Sequence, residues 1–185
     1  MQTLGLSDST PRSESRLQSL FWPSVQNAAD VDYLGAQGYW ICTLVAAVSC
    51  VFLVATGHAI VGTMVLLFYY LGGVGVREGS TYAAAMVLSI YALDSMVSPP
   101  SVGRILIGVM LLSNVRATWI ASRWKPESEE AAPQPRLGDT WGDKFADKFP
   151  SWLWPKIRVI YYIFSACMLA LFAVALVLFA LRHSR

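Results

Sequence analysis

Residues 35–124 read GAQGYWICTLVAAVSCVFLVATGHAIVGTMVLLFYYLGGVGVREGSTYAAAMVLSIYALDSMVSPPSVGRILIGVMLLSNVRATWIASRW. The only acids in this stretch are Glu78 and Asp94. Its bases are Arg77, Arg104, Arg116 and Arg123, with His58 the one histidine. A water-soluble core does not require so long an apolar run with so few charges. Since about 20 residues cross the hydrocarbon of a bilayer as a helix, the stretch is read as several spans joined by very short turns.

The first apolar run, about Gly38 to Val76, is too long for one span. Thr56-Gly57-His58 is its least apolar and most turn-prone point, which predicts a hairpin with span one at 38–56 and span two at 59–76. A single tilted helix with a buried re-entrant piece is the alternative. Span three is placed at 80–97. Ser98-Pro99-Pro100-Ser101 stops it, because proline lacks the backbone N–H and crowds the preceding turn. Span four follows at 102–120, with Trp119 and Trp124 marking an interface.

The flanks fit the same picture. Residues 1–16 are polar and offer nothing to bury, so they are expected to be disordered. They lack the basic start and early apolar core of a cleaved signal peptide, so the first span is expected to act as its own membrane signal. Leu17, Leu20, Phe21 and Trp22 form a small cluster suited to the headgroup zone, within a polar segment 1–36. Asp30 and Asp32 are placed to cap the first turn of a helix leading into the membrane. After the 37–124 core, the Pro- and Glu-rich residues 125–136 read as a flexible linker. In 137–155, Thr140 with Asp143 resembles a capping box. Trp141, Phe145 and Phe149 recur every four residues among charged ones, predicting a short amphipathic helix at the membrane surface that ends at Pro150. Residues 156–185 hold the final span, about Ile157–Leu181, and a basic tail. The fold class is therefore all-α: a polytopic helical integral membrane protein of about five transmembrane helices (four if one run is re-entrant) plus an interfacial amphipathic helix.

Composition supports the class. The chain has 185 residues, 55% hydrophobic and only 14% charged, against about 25% charged in a typical soluble domain. The net charge of +2 includes no basic tract, so nucleic acid is not an expected partner. Cys42, Cys50 and Cys167 lie in apolar runs without zinc or CxxC spacing and are read as small apolar core residues.

Five spans put the termini on opposite sides. With a cytoplasmic N-terminus, the loop from Arg123 to Arg158 also faces the cytoplasm, together with Lys125, Arg136, Lys144, Lys148 and Lys156. The two opposite turns offer only Arg104, so the positive-inside bias favours this orientation, though Arg182 and Arg185 at the far end oppose it.

Two polar groups result. His58, Asp94 and Arg104 fall at the outer ends of the spans. Asp94 and Arg104 flank the Pro-Pro stop and can pair across the hairpin, either structurally or as an ion or proton site with His58 as a titrating neighbour. Arg77, Glu78, Asn114 and Arg116 fall at the inner ends. There Arg116 is placed to pair with Glu78 or to meet anionic headgroups, and Asn114 to hydrogen-bond between helices. Gly72, Gly75 and Gly79, at i, i+3 and i+7, share a helical face suited to close packing. Their spacing matches neither GxGxxG nor a Walker loop. No HExxH, Ser–His or paired intramembrane aspartate is present, so no catalytic residue, metal site or cofactor is expected.

GGVGVREGS (72–80), YALDS (91–95) and NVRATWIASRW (114–124) together resemble a pattern of small uncharacterised bacterial multi-spanning membrane proteins. Those carry a Gly-Gly-x-Gly-x-Arg turn, an apolar helix ending in Tyr-x-x-Asp, and a last helix with Asn-x-x-Arg-x-Thr. The chain departs at the last element, where one residue separates Asn114 from Arg116. The resemblance covers residues 38–124 and implies a membrane fold with no activity attached; the expected location is a bacterial inner membrane. The expectation is a non-enzymatic scaffold or accessory subunit acting by helix packing, with the lipid bilayer and a membrane protein or a second copy as partners. The alternative is a small transporter or channel using Asp94, His58 and Arg104.

Overall fold

The computed structural model describes residues 21–23, 25, 28–97, 99, 101–123 and 141–183. The linker 125–136, residues 1–20 and the side chains of 141–148 that carry the amphipathic stripe lie outside this description. All regular structure among the described residues is helical: α1 (Ala28–Ala55), α2 (Ala59–Arg77), α3 (Thr81–Val97), α4 (Val102–Arg123) and α5 (Trp141–His183). Four helices, α1, α2, α4 and α5, are long and apolar enough to cross a membrane. The 17 residues of α3 rise about 26 Å, slightly less than a hydrocarbon core of about 30 Å.

Local chemistry sets the helix ends. α1 stops at Gly57, whose φ of 85° suits a residue without Cβ. The Gly57 N–H donates to Val54 O at 3.0 Å and the His58 N–H to Leu53 O at 2.8 Å. This pair of bonds satisfies carbonyls the helix would otherwise leave open. The end of α2 repeats it: Gly79 has φ 72°, with Gly79 N–H to Val76 O at 3.0 Å and Ser80 N–H to Gly75 O at 2.9 Å. Ser80 and Ser101 then cap α3 and α4, accepting the N–H of Ala83 and Arg104, each at 3.3 Å.

α1 and α2 form one antiparallel hairpin along their whole length. A Cβ on Gly62 would approach Leu53 and the Cys50 carbonyl, one on Gly73 would meet Cys42 and Tyr39, and Gly35 lies beside Arg77. The first apolar run is thus two helices and not a tilted helix with a re-entrant piece. α2 also contacts α3 and α5, while α4 packs on α1 and α3. The core gathers Tyr39, Cys42 and Ala46 of α1, Phe68, Tyr69 and Val74 of α2, Val87 and Ile90 of α3, Leu111 of α4, and Trp154 and Tyr161 of α5. Of the three cysteines only Cys42 is in this core; Cys50 is half-buried and Cys167 is exposed on α5, so the expectation that all three are core residues fails for Cys167.

The far C-terminal part departs from the sequence-based expectation. Instead of a surface helix ending at Pro150 and a separate span from 156, α5 runs unbroken over 43 residues through Pro150 and Pro155. Each proline removes a donor and crowds the carbonyl four residues earlier, which ends most helices. Here Pro150 is buried, and Leu153, Trp154, Ile157 and Tyr161 pack on the core just beyond it. Packing of that kind lets a membrane helix continue past a proline. At about 64 Å, α5 outreaches the bundle, and Leu171, Val174, Val177 and Leu178 near its end are exposed.

Candidate functional site

A buried charge sits where α2 ends. Arg77 Nη1 donates to the Asp32 backbone carbonyl at 2.7 Å and to Asp32 Oδ1 at 2.9 Å, and Nη2 reaches Oδ2 at 3.4 Å. The Arg77 side chain is 3% exposed and that of Asp32 35%. The hairpin explains the pairing: it brings the start of α1 alongside the end of α2, and the long arginine side chain extends one turn further to Asp32. Its planar fork matches both carboxylate oxygens. Asp32 was expected to cap the first turn of a helix; it lies one turn inside α1, and its carboxylate binds the next helix.

Around this pair, small residues let backbones close. A Cβ on Gly38 would lie 2.6 Å from Val76 Cγ1 and 2.7 Å from Asn114 Oδ1, so α1, α2 and α4 converge there. Asn114 is buried, and its amide N–H donates back to Met110 O at 2.9 Å within α4. Its bond is therefore inside one helix rather than between helices. Of the predicted glycine face, Gly72 and Gly75 do pack. A Cβ on Gly72 would crowd Val87 and come 2.6 Å from Tyr161 Oη; one on Gly75 would come 2.6 Å from Ala83 Cβ and 2.7 Å from Trp154 Cζ3. Gly79 does not: nothing lies within 4 Å of its would-be Cβ, because its place is the left-handed turn that closes α2. Gly73, missed because it is off that face, takes the third packing contact, toward α1.

Arg116 does not pair with Glu78. Its guanidinium donates to Pro23 O at 3.0 Å and lies 5.1 Å from the Trp22 ring centroid, tying the segment before α1 to the end of α4. Two more cations stack on tryptophans at this end of the bundle, Arg123 over Trp119 at 3.7 Å and Lys156 over Trp152 at 3.8 Å.

At the opposite end, Arg104 Nη1 lies 3.2 Å from Asp94 Oδ2, with side chains 35% and 46% exposed. Tyr91 Oη braces the pair by donating to Arg104 O at 3.1 Å. His58 does not join them. It is exposed in the α1–α2 turn, and the one polar partner of its side chain among the described residues is Thr56 Oγ1, at 3.4 Å. Among the described residues no three His, Cys, Asp or Glu side chains gather where they could hold a metal ion.

No family model, curated protein or solved structure matches the chain. The functional reading therefore rests on this geometry alone.

Proposed function

We propose that the chain is a multi-pass membrane scaffold or accessory subunit that works through helix packing, not through chemistry on a substrate. The observation that carries this reading is the use of α2. Its residues 72–77 are all buried, with α1, α3 and α5 closing on its glycines. Its terminal charge is held by Asp32. The outer faces of α1 and α5, by contrast, are apolar and exposed, as at Leu44, Val51, Phe52, Ile160 and Ile163. Small residues inside and bulky apolar ones outside describe a body that is rigid within and wetted by lipid or a membrane partner without.

Purification in a mild detergent tests this. The expected outcome is a stoichiometric membrane partner or a self-complex, together with full cellular function of Asp94→Asn, since an exposed ion pair is worth about 0–1 kcal/mol. A monomer without partner whose cellular function is lost in Asp94→Asn would overturn the scaffold and favour a transport site.

The Arg77 end, with Arg116, Arg123, Lys156 and Arg158, supports a cytoplasmic placement of that end. α3 then counts as a fifth crossing and the C-terminus lies outside. A topology reporter fused after Arg185 is expected to report the non-cytoplasmic side; cytoplasmic activity would sink the five-span arrangement.

A further inference from the structure

We propose that the Arg77 end of the bundle binds the phosphate of anionic phospholipids at two tryptophan-backed cations, Arg123 on α4 and Lys156 on α5. The contacts place these residues at one end. The start of α1 meets the end of α2 through Asp32 and Arg77. Asn114 of α4 faces Gly38 of α1, and Trp154 of α5 faces Gly75 of α2. Arg123 follows Asn114 along α4 towards that end, and the Lys156 side chain reaches back towards it over Trp152. All three cation–ring stacks among the described residues are at this end, whereas Arg104 at the other end is taken by Asp94.

The stacks differ in what remains free. Arg116 is already engaged by the Pro23 carbonyl. Arg123 and Lys156 are exposed and make no ion pair among the described residues. Tryptophan seats itself in the headgroup zone, so a cation stacked on its face is held at the depth of lipid phosphates with a donor still available. The surface leading inward suits the rest of such a molecule. On α5, Trp152 and Lys156 are followed at helical spacing by Val159, Ile160 and Ile163, each about two-thirds exposed. A headgroup contact with an apolar track below it fits a glycerophospholipid better than a soluble anion. α4 and α5 occupy different sides of the bundle, so these are two independent sites. The inference holds whether or not the chain scaffolds a partner.

The test uses the full chain in vesicles of phosphatidylglycerol and phosphatidylcholine in equal amounts, extracted in mild detergent, with the retained lipids weighed by native mass spectrometry. The wild type is expected to retain phosphatidylglycerol preferentially. Since a cation near an anionic surface contributes about 1 kcal/mol, Arg123→Gln and Lys156→Gln should each lower the enrichment at their own site about fivefold. Trp152→Leu, which keeps the Lys156 charge but removes its platform, should lower it as well. Arg182→Gln, at the other end, should not. Equal retention of the two lipids by the wild type, or undiminished enrichment in the Arg123→Gln/Lys156→Gln double variant, would overturn the proposal. Displacement of the retained lipid by inorganic phosphate would also overturn it, assigning the cations to a soluble anion.

Discussion

Asp32→Ala is expected to lower the unfolding free energy of the purified protein by about 3 kcal/mol, the low end of what breaking a buried pair costs. The reason lies with the partner. Asp32 is partly exposed and loses little by its own removal, but the Arg77 side chain is 3% exposed and cannot shed its proton. The change removes both carboxylate oxygens from its guanidinium and leaves the Asp32 main-chain carbonyl, at 2.7 Å, in place. Asp32→Asn retains one acceptor oxygen and should cost less. Arg77→Lys should be nearly as harmful as Asp32→Ala, since an ammonium cannot span both carboxylate oxygens. The double variant Asp32→Ala/Arg77→Met should recover part of the loss, because the buried guanidinium is gone and an apolar chain of similar length fills its place. Titration of the folded protein with a denaturing detergent, followed by circular dichroism, measures each step. An Asp32→Ala protein as stable as the wild type would mean that Arg77 finds another anion and that the pair does not anchor α1 to α2. The same change at the other end, Asp94→Ala, should cost no more than about 1 kcal/mol because both partners there are substantially exposed.

Gly75→Leu should be the most damaging single change in the glycine-rich segment, at about 3 kcal/mol or more. Even the first carbon of the new side chain would lie 2.6 Å from Ala83 Cβ and 2.7 Å from Trp154 Cζ3. Ala83 has no side-chain freedom with which to yield, so α3 must move away from α2, and Trp154 with α5 must follow. Thermal unfolding read by tryptophan fluorescence should show both a lower midpoint and an altered Trp154 environment before unfolding. Two controls separate packing from backbone conformation. Gly79→Ala meets no neighbour but must hold φ near 72°, which costs about 1–2 kcal/mol. Gly103→Ala meets no neighbour and has ordinary helical backbone, so it should be neutral or stabilising by up to about 1 kcal/mol. If Gly75→Leu were no worse than Gly79→Ala, the close approach of three helices on α2 would not be what holds α5 in place.

These two sites divide what could be read from the chain alone. The Asp94–Arg104 contact was legible because the residues are ten apart across a proline turn, and any tight hairpin there brings them together. The Arg77–Asp32 pair was not. It joins residues 45 apart, and the facing of a long side chain depends on the register and rotation of two helices. One signal was present: with the turn fixed at Thr56-Gly57-His58, the end of the second helix must lie beside residues of the low thirties, where Asp32 is the acid next to the apolar run. Gly79 was misplaced for a related reason. Helical spacing assigns a face only while the helix continues, and the left-handed turn that uses Gly79 ends it. Pro150 misled in the opposite direction, because a proline signals a stop from local sterics while burial against neighbouring helices lets the chain continue.

By itself, the sequence determined the solvent and the turns that separate the first four helices. An apolar run of this length with its charges near the ends requires a bilayer, and Gly57, Gly79, Ser80 and Ser101 set where helices start and stop, because these are properties of local backbone chemistry. Only the tertiary structure decided which residues are partners. It made α2 the central helix, turned Gly72, Gly73 and Gly75 toward three different neighbours, gave Arg77 to Asp32 and Arg116 to the Trp22–Pro23 segment, and kept His58 apart from Asp94. Those assignments depend on helix rotation and crossing, which apolar periodicity leaves open in a chain whose helices are apolar on nearly every side.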